Sequence, residues 1–203
     1  MTKTGFFIVI EGLDGSGKTT QAAILAKQLS DTYPVHLTAE PSRGKIGTFI
    51  REGCLYENTR LPTEAEALLF AADRIEHMQN ELKHALDEGK LVICDRYVYS
   101  SLAYQGSAGL SLDWIKAINA RALQPDLCIF IDVPPKLVLE RLQRKKSVME
   151  TLETQQKVRE IYLKYVDKGE LVRVDGDLPK ELVAEELFLK VSEFLKNAKD
   201  YTS

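Results

Sequence analysis

The chain is short of the residues that mark several whole classes of protein. Among its 203 residues there are three cysteines, three histidines and one tryptophan. Cys54, Cys94 and Cys128 are odd in number and show no C-x-x-C spacing, so neither a disulfide framework nor a cysteine-bound metal is expected. Cys94 and Cys128 lie inside apolar runs and read as small buried hydrophobes of a reducing, cytoplasmic compartment. Long hydrophobic runs are missing too. The N-terminal one, Phe6 to Ile10, ends at Glu11 and is too short for a signal peptide or a membrane span. With 27 basic and 30 acidic side chains the net charge is −3, which gives no basic field to recruit nucleic acid or an anionic membrane. No repeat and no Pro/Gly-rich linker divides the sequence.

What is present is an alternation of short apolar runs with helical patterns. The runs at 6–10, 35–39, 91–94, 127–132 and 171–174 predict strands. Helical stretches are expected near 18–31, 63–87, 97–105, 112–122, 134–144, 151–167 and 179–197. The strand runs are continuously apolar rather than alternating, which predicts burial on both faces. The expected architecture is therefore one α/β domain over 1–203, a five-stranded parallel sheet flanked by helices. Ligands of such sheets bind beyond the carboxyl ends of the strands, so the polar residues after each run are the candidates.

After the first run comes EGLDGSGKTT, with three glycines inside six residues. Glycine at that density weakens strand and helix alike, and suits a backbone that curls to aim its N–H groups inward. Gly12, Gly17, Lys18 and Thr19 complete the pattern G-x-x-x-x-G-K-[ST] between a strand and a helix, the context of a phosphate-binding loop at 12–19. A merely flexible turn is the lesser reading. Lys18 is expected to reach the β- and γ-phosphates, and Thr19 to ligate Mg²⁺.

The other strand ends carry further candidates. Asp95-Arg96-Tyr97 follows the third run: Asp95 suits a Mg²⁺-organising acid or a helix cap, and Arg96 suits a phosphate clamp. Glu40-Pro41-Ser42-Arg43-Gly44 is a turn in which Arg43 is either a solvated charge or a phosphate ligand. Phe70 and Arg74 share a helix face, able to stack a flat heterocycle and bond its edge. Taken as a pair alone, a core phenylalanine and a surface ion pair with a nearby acid explain them better. Ser100, Ser101, Tyr104 and Gln105 give the next helix more hydroxyl and amide than a purely solvent or core face needs. Arg141, Arg144, Lys145 and Lys146 close a helix, where a basic cluster either complements the helix dipole or forms a lid over a transferred phosphate.

Together these segments resemble thymidylate kinases, the P-loop kinases that make dTDP from dTMP and ATP. The resemblance covers almost the whole chain: EGLDGSGKTTQ, EPSR, LLFAADR, DRYVYSSLAYQG, PDLCIFIDVPP, an arginine-rich lid at about 141–153, and REIYLKY. LLFAADR followed by DRYVYSSLAYQ separates this family from other nucleoside monophosphate kinases. The resemblance implies ATP bound by Gly12, Leu13, Asp14, Gly15, Ser16, Gly17, Lys18, Thr19 and Thr20, with Arg141 near the adenine. It implies dTMP held by Arg43 and Arg96 at its phosphate, Phe70 under the thymine and Arg74 at its O4. Asp14 falls near the sugar 3′-hydroxyl and Tyr104 where a ribose 2′-hydroxyl would sit. Ser101 and Gln105 fall near the base N3. Lys18, Asp95, Arg96 and Arg144 are the implied catalytic group, Thr19 and Asp95 the implied Mg²⁺ ligands, and a homodimer the implied assembly. Gly15 has no side chain to assist transfer, which fits a cation supplied by the lid instead. Another P-loop nucleotide kinase with a different monophosphate, or a nucleotide-dependent switch ATPase, is the alternative. His36, His77 and His84 lie off the motifs, consistent with a reaction that needs no histidine base.

Overall fold

A computed structural model describes residues 5–54, 60–141 and 151–200, with residues 199 and 200 described by backbone alone. Five strands form one all-parallel sheet: β1 Phe6–Gly12, β2 Val35–Ala39, β3 Leu91–Asp95, β4 Leu127–Asp132 and β5 Val172–Asp175. Their order is β2-β3-β1-β4-β5. The three central strands are buried almost throughout, as their unbroken apolar sequence requires. Phe7, Ile8, Val9 and Ile10 are all fully buried, each side chain contributing about 1.5–3 kcal/mol in transfer from water. The outer strands β2 and β5 are mostly exposed or half-buried. Double-faced burial therefore holds for the middle of the sheet and not for its edges.

Helix α1 (Lys18–Leu29) packs on β1, β2 and β3 and against the C-terminal helix α9 (Lys180–Asp200), which also meets β5. Helix α5 (Val98–Ser107) packs on β1, and α8 (Leu152–Asp167) on β4 and against α5. The Phe130 ring of β4 stacks on Tyr162 of α8, centroids 4.6 Å apart. The remaining helices are α2 (Lys45–Gly53), α3 (Thr63–His77), α4 (Lys83–Asp87), α6 (Leu112–Ile118) and α7 (Pro135–Arg141). This is the three-layer P-loop architecture.

Two elements differ from the sequence expectation. Helix α2 has no counterpart in it; it begins directly after the turn expected at Glu40 to Gly44. Gly47 is there for space: a Cβ would lie 2.1 Å from the Ser42 carbonyl oxygen and 2.6 Å from an Asp73 carboxylate oxygen. The helix expected over 63–87 is also not uniform, since Met78–Leu82 forms a π-helical turn between α3 and α4. The remaining boundaries shift by a few residues, most at the C-terminal end of α6, which stops at Ile118. The lid expectation falls mainly on residues 142–150, outside the described residues.

Strand register assembles the site. Ile10 pairs with Asp95, Asp95 with Ala39, and Gly12 with Ile131. The end of β1, its loop, Asp95-Arg96 and the Glu40 turn are thereby brought to one edge of the sheet.

Candidate active site

The loop after β1 is built on backbone that only glycine adopts comfortably. Gly15 and Gly17 both have φ of 87°, and Gly17 is the left-handed residue that turns the chain into α1. The first N–H groups of α1 are left without side-chain caps, as an anion site at a helix N-terminus requires. Lys18 is buried with its chain folded back over the loop, its Nζ donating to the Leu13 carbonyl at 3.1 Å and lying 4.0 Å from Asp14. Burial and the neighbouring Arg96 cation bring the Lys18 ammonium down to about 8, against the pull of Asp14 and Asp95.

Asp95 stands beside that loop. Thr19 donates its hydroxyl to Asp95 Oδ2, whereas Asp95 Oδ1 is buried with no hydrogen-bond partner. Asp95 does not cap α5; that position belongs to Tyr97, with no side-chain cap bond. An orphaned carboxylate oxygen next to a hydroxyl is hard-oxygen chemistry, which suits a Mg²⁺ ion that keeps water and phosphate oxygens as its other ligands. The residues present fit that ion.

Arg96 has φ of 71°, the one positive-φ residue other than glycine among the described residues. A side chain in that region costs of order 1–3 kcal/mol and persists only where the surroundings impose it. Here they do. Its Nη2 donates to Asp14 Oδ1 at 2.5 Å and its Nη1 to Ser100 Oγ at 3.0 Å, with the guanidinium 5.0 Å from the centre of the Tyr104 ring. Its backbone N–H meets the Ile10 carbonyl at 3.0 Å. Partial burial opposes ionisation of Asp14, but Arg96 and Lys18 overcome it and hold the carboxyl at about 2. Tyr104 OH accepts the Asp14 backbone N–H at 2.9 Å, and burial pushes its phenol up so that it stays protonated.

The frame behind Arg96 is Glu11, which the motif reading does not single out. This buried acid accepts the N–H groups of Tyr97 at 2.9 Å and Ser100 at 3.1 Å, the Ser100 hydroxyl at 2.6 Å and the Tyr162 hydroxyl at 2.9 Å. It pins the start of α5 to the end of β1. Its burial raises its carboxyl above the usual range, and those donors oppose the rise. An acid ending an apolar strand run is the signal that marks it in sequence.

The second compartment lies along α3. Phe70 is half-buried and outside the main hydrophobic cluster, so its ring is not committed to the core. Arg74 is almost fully buried and paired with Glu40, its Nη2 2.7 Å from Oε2. The alternative reading of a surface ion pair does not hold: Arg74 is paired with an acid, but in the interior. Arg74 also donates to Asn119 Oδ1 and, at 3.2 Å, to Ser101 Oγ, and lies 5.0 Å from the centre of the Tyr97 ring. Its Nε and Gln105 Oε1 are buried without partners. Asn119 lies in no motif, and Glu40, though it opens the EPSR segment, is given no role by the sequence reading.

Arg43 is exposed and borders a cleft of about 530 Å³ that runs from Thr19 and Asp95 past Pro41 to Arg51. Arg51 of α2 braces the turn by donating to the Pro41 carbonyl at 2.7 Å and to Thr48 Oγ1 at 3.1 Å. Arg141, at the end of α7, reaches the Gly176 carbonyl beyond β5 at 3.3 Å. Asp132, buried at the end of β4, accepts from Arg159 at 2.6 Å and Arg173 at 2.7 Å, tying α8 to β5 on that side. Arg144 lies outside the described residues. The structure thus gathers Gly12 to Thr20, Asp95, Arg96 and Tyr104 around one loop, and beside it Phe70 and Arg74 of α3 with Ser101 of α5, which Arg74 reaches.

Residues 10–187 match the family model described as Thymidylate kinase. A "Probable thymidylate kinase" of Pyrococcus horikoshii is 47% identical over 178 residues, covering 84% of this chain and 87% of that protein. One of Pyrobaculum aerophilum is 42% identical over 193 residues, 93% of this chain and 98% of its own. One of Methanococcus aeolicus is 44% identical over 164 residues, 80% of each. Similarity that runs from the first strand into the last helix, through every segment that frames the loop, places this chain in the thymidylate kinase family.

Proposed function

We propose that this chain moves the γ-phosphoryl group of ATP to a phosphate oxygen of dTMP, giving dTDP and ADP, and that it does so as a single kinase domain. The observation that carries the reading is the junction of the two compartments: Arg96 joins Asp14 of the phosphate loop to Ser100 of α5, and the next residue, Ser101, is bonded by Arg74. A phosphate seated at the loop and a second one at Arg96 would meet at that junction. The accepting oxygen is already anionic near neutral pH, so no general base is required. The work is positioning and charge neutralisation. Lys18 and the loop N–H groups would hold the donor, Arg43 and Arg96 the acceptor phosphate, and Arg141 the adenine side. Phe70 would stack the pyrimidine, with Arg74, Ser101 and Gln105 at its edge and Tyr104 against the deoxyribose. Thr19 and Asp95 would hold Mg²⁺, which when bound would supply charge neutralisation at the phosphates.

ADP release measured across dTMP, dUMP, dCMP, dGMP and AMP tests the substrate. Turnover should be fastest with dTMP; slow hydrolysis indifferent to every monophosphate would mean a switch ATPase instead. Phe70→Ala should weaken dTMP binding by about 1–3 kcal/mol, the value of a lost base-aromatic stack, with the KM for ATP unchanged. Retained dTMP affinity would place the base elsewhere.

We also infer a homodimer, for which Phe49 of α2 and Leu68 of α3 supply apolar side chains about half exposed. A monomer at micromolar concentration in sedimentation equilibrium would overturn it. Among the described residues no helix is long and apolar enough to cross a membrane, and Cys54, Cys94 and Cys128 are free and buried. Both facts support a cytoplasmic setting, which recovery in a membrane fraction would contradict.

A further inference from the structure

A second line of polar contacts crosses the molecule behind Arg74, and the proposed phosphoryl transfer makes no direct use of it. His77 ends α3, three residues beyond Arg74, and its side chain is fully buried. Its Nδ1 lies 3.2 Å from Glu40 Oε1. Its Nε2 lies 2.9 Å from Thr38 Oγ1 and 3.6 Å from Glu81 Oε2. Glu81 in turn meets His36 at 2.8 Å, at the half-exposed end of the line. The other oxygen of Glu40 meets Arg74 at 2.7 Å as an ion pair, without the alignment of a hydrogen bond.

The tautomer follows from the chemistry of the partners. A carboxylate only accepts, so the proton on the Glu40 side sits on His77 Nδ1, and Nε2 faces the Thr38 hydroxyl. Glu40 is a buried charge whose two oxygens are divided between His77 and Arg74. A buried carboxylate deprived of one partner is strongly unfavourable, and the remaining cation would be drawn towards it. Arg74 would then shift against Ser101, Asn119 and the Tyr97 ring, the contacts that fix its plane.

We propose that His77 is a positioning residue for pyrimidine recognition: through Glu40 it fixes the Arg74 guanidinium, so that the slot favours a ring presenting a carbonyl over one presenting an amine. The inference rests on the reading that Arg74 meets the base edge. dCMP differs from a carbonyl-bearing pyrimidine at that edge by offering a donor where Arg74 also donates.

The test compares His77→Gln with His77→Asn, reading kcat and KM for dTMP, dCMP and ATP. The asparagine amide nitrogen falls near the place of Nδ1 and can still donate to Glu40; the glutamine amide falls nearer Nε2 and cannot. His77→Gln should reduce the ratio of kcat/KM for dTMP over dCMP by about tenfold, within the range of couplings between contacting groups. The loss should lie in the KM for dTMP, with the KM for ATP unmoved, and His77→Asn should recover most of it. Equal losses with both monophosphates, or equal losses in both variants, would make His77 merely structural and overturn the proposal. Glu40→Gln breaks the same line from its other end and carries the test should His77→Gln fail to fold. Arg74→Lys separates the two readings. If it leaves the dTMP/dCMP ratio intact, Arg74 does not read the base. If it collapses the ratio and the His77 and Glu40 variants do not, only the present inference falls.

Discussion

Arg96→Gly is expected to lower kcat/KM for dTMP by roughly 10³-fold, about 4 kcal/mol of transition-state stabilisation, in a protein that still folds. Glycine is the informative replacement because residue 96 has φ of 71°. Alanine would keep the backbone strain and lose the contacts that impose it, so its effect would mix misfolding with lost chemistry. Glycine relieves the strain and removes the guanidinium alone. That guanidinium reaches Asp14, Ser100 and Tyr104 at once, so its loss frees the loop acid as well as the acceptor phosphate. Arg96→Lys should fall between, since an ammonium restores the charge without the planar fork. Steady-state kinetics with thermal melting decide it. A loss under tenfold in a stable Arg96→Gly protein would remove Arg96 from the acceptor site.

The second large effect is expected at Arg144, where alanine should lower kcat by roughly 10²-fold or more while the KM for dTMP moves little. In-line transfer spreads charge over the equatorial oxygens of the migrating group, and stabilising it takes a cation not committed elsewhere. Gly15 leaves no side chain inside the loop to supply one, and Arg96 is already engaged with Asp14. On the proposed reading, a cation from the basic segment that follows α7 in the sequence would fill the role. The KM-against-kcat split is diagnostic, because a group that meets only the transition state leaves ground-state binding alone. Lys145→Ala and Lys146→Ala run alongside. If one of them reproduces the loss and Arg144→Ala keeps wild-type kcat, the role belongs to a neighbouring cation of the lid.

The sheet and its loop were legible because both are written locally. Five apolar runs gave the strands, and eight residues of the phosphate loop carry their own backbone chemistry. Phe70, Arg74, Ser101 and Tyr104 became candidates through the resemblance, since spacing on a helix says only that side chains share a face. Partnerships across the sheet edge were not legible. Glu40 lies in a turn and His77 at a helix end, and only the fold brings them within 3.2 Å. Glu11 hid in plain view at the end of a strand, its four donors coming from α5 and α8. Helix α2 was missed, and its Gly47, a residue type that weakens helices, answers to the crowding of Ser42 and Asp73.

Lys18 carries one more consequence. Its ammonium is stripped of water when the chain folds and rests on the Leu13 carbonyl, so a polyphosphate tail meets a cation whose dehydration is already complete. Attraction at the loop is therefore not offset by fresh loss of hydration on the protein side.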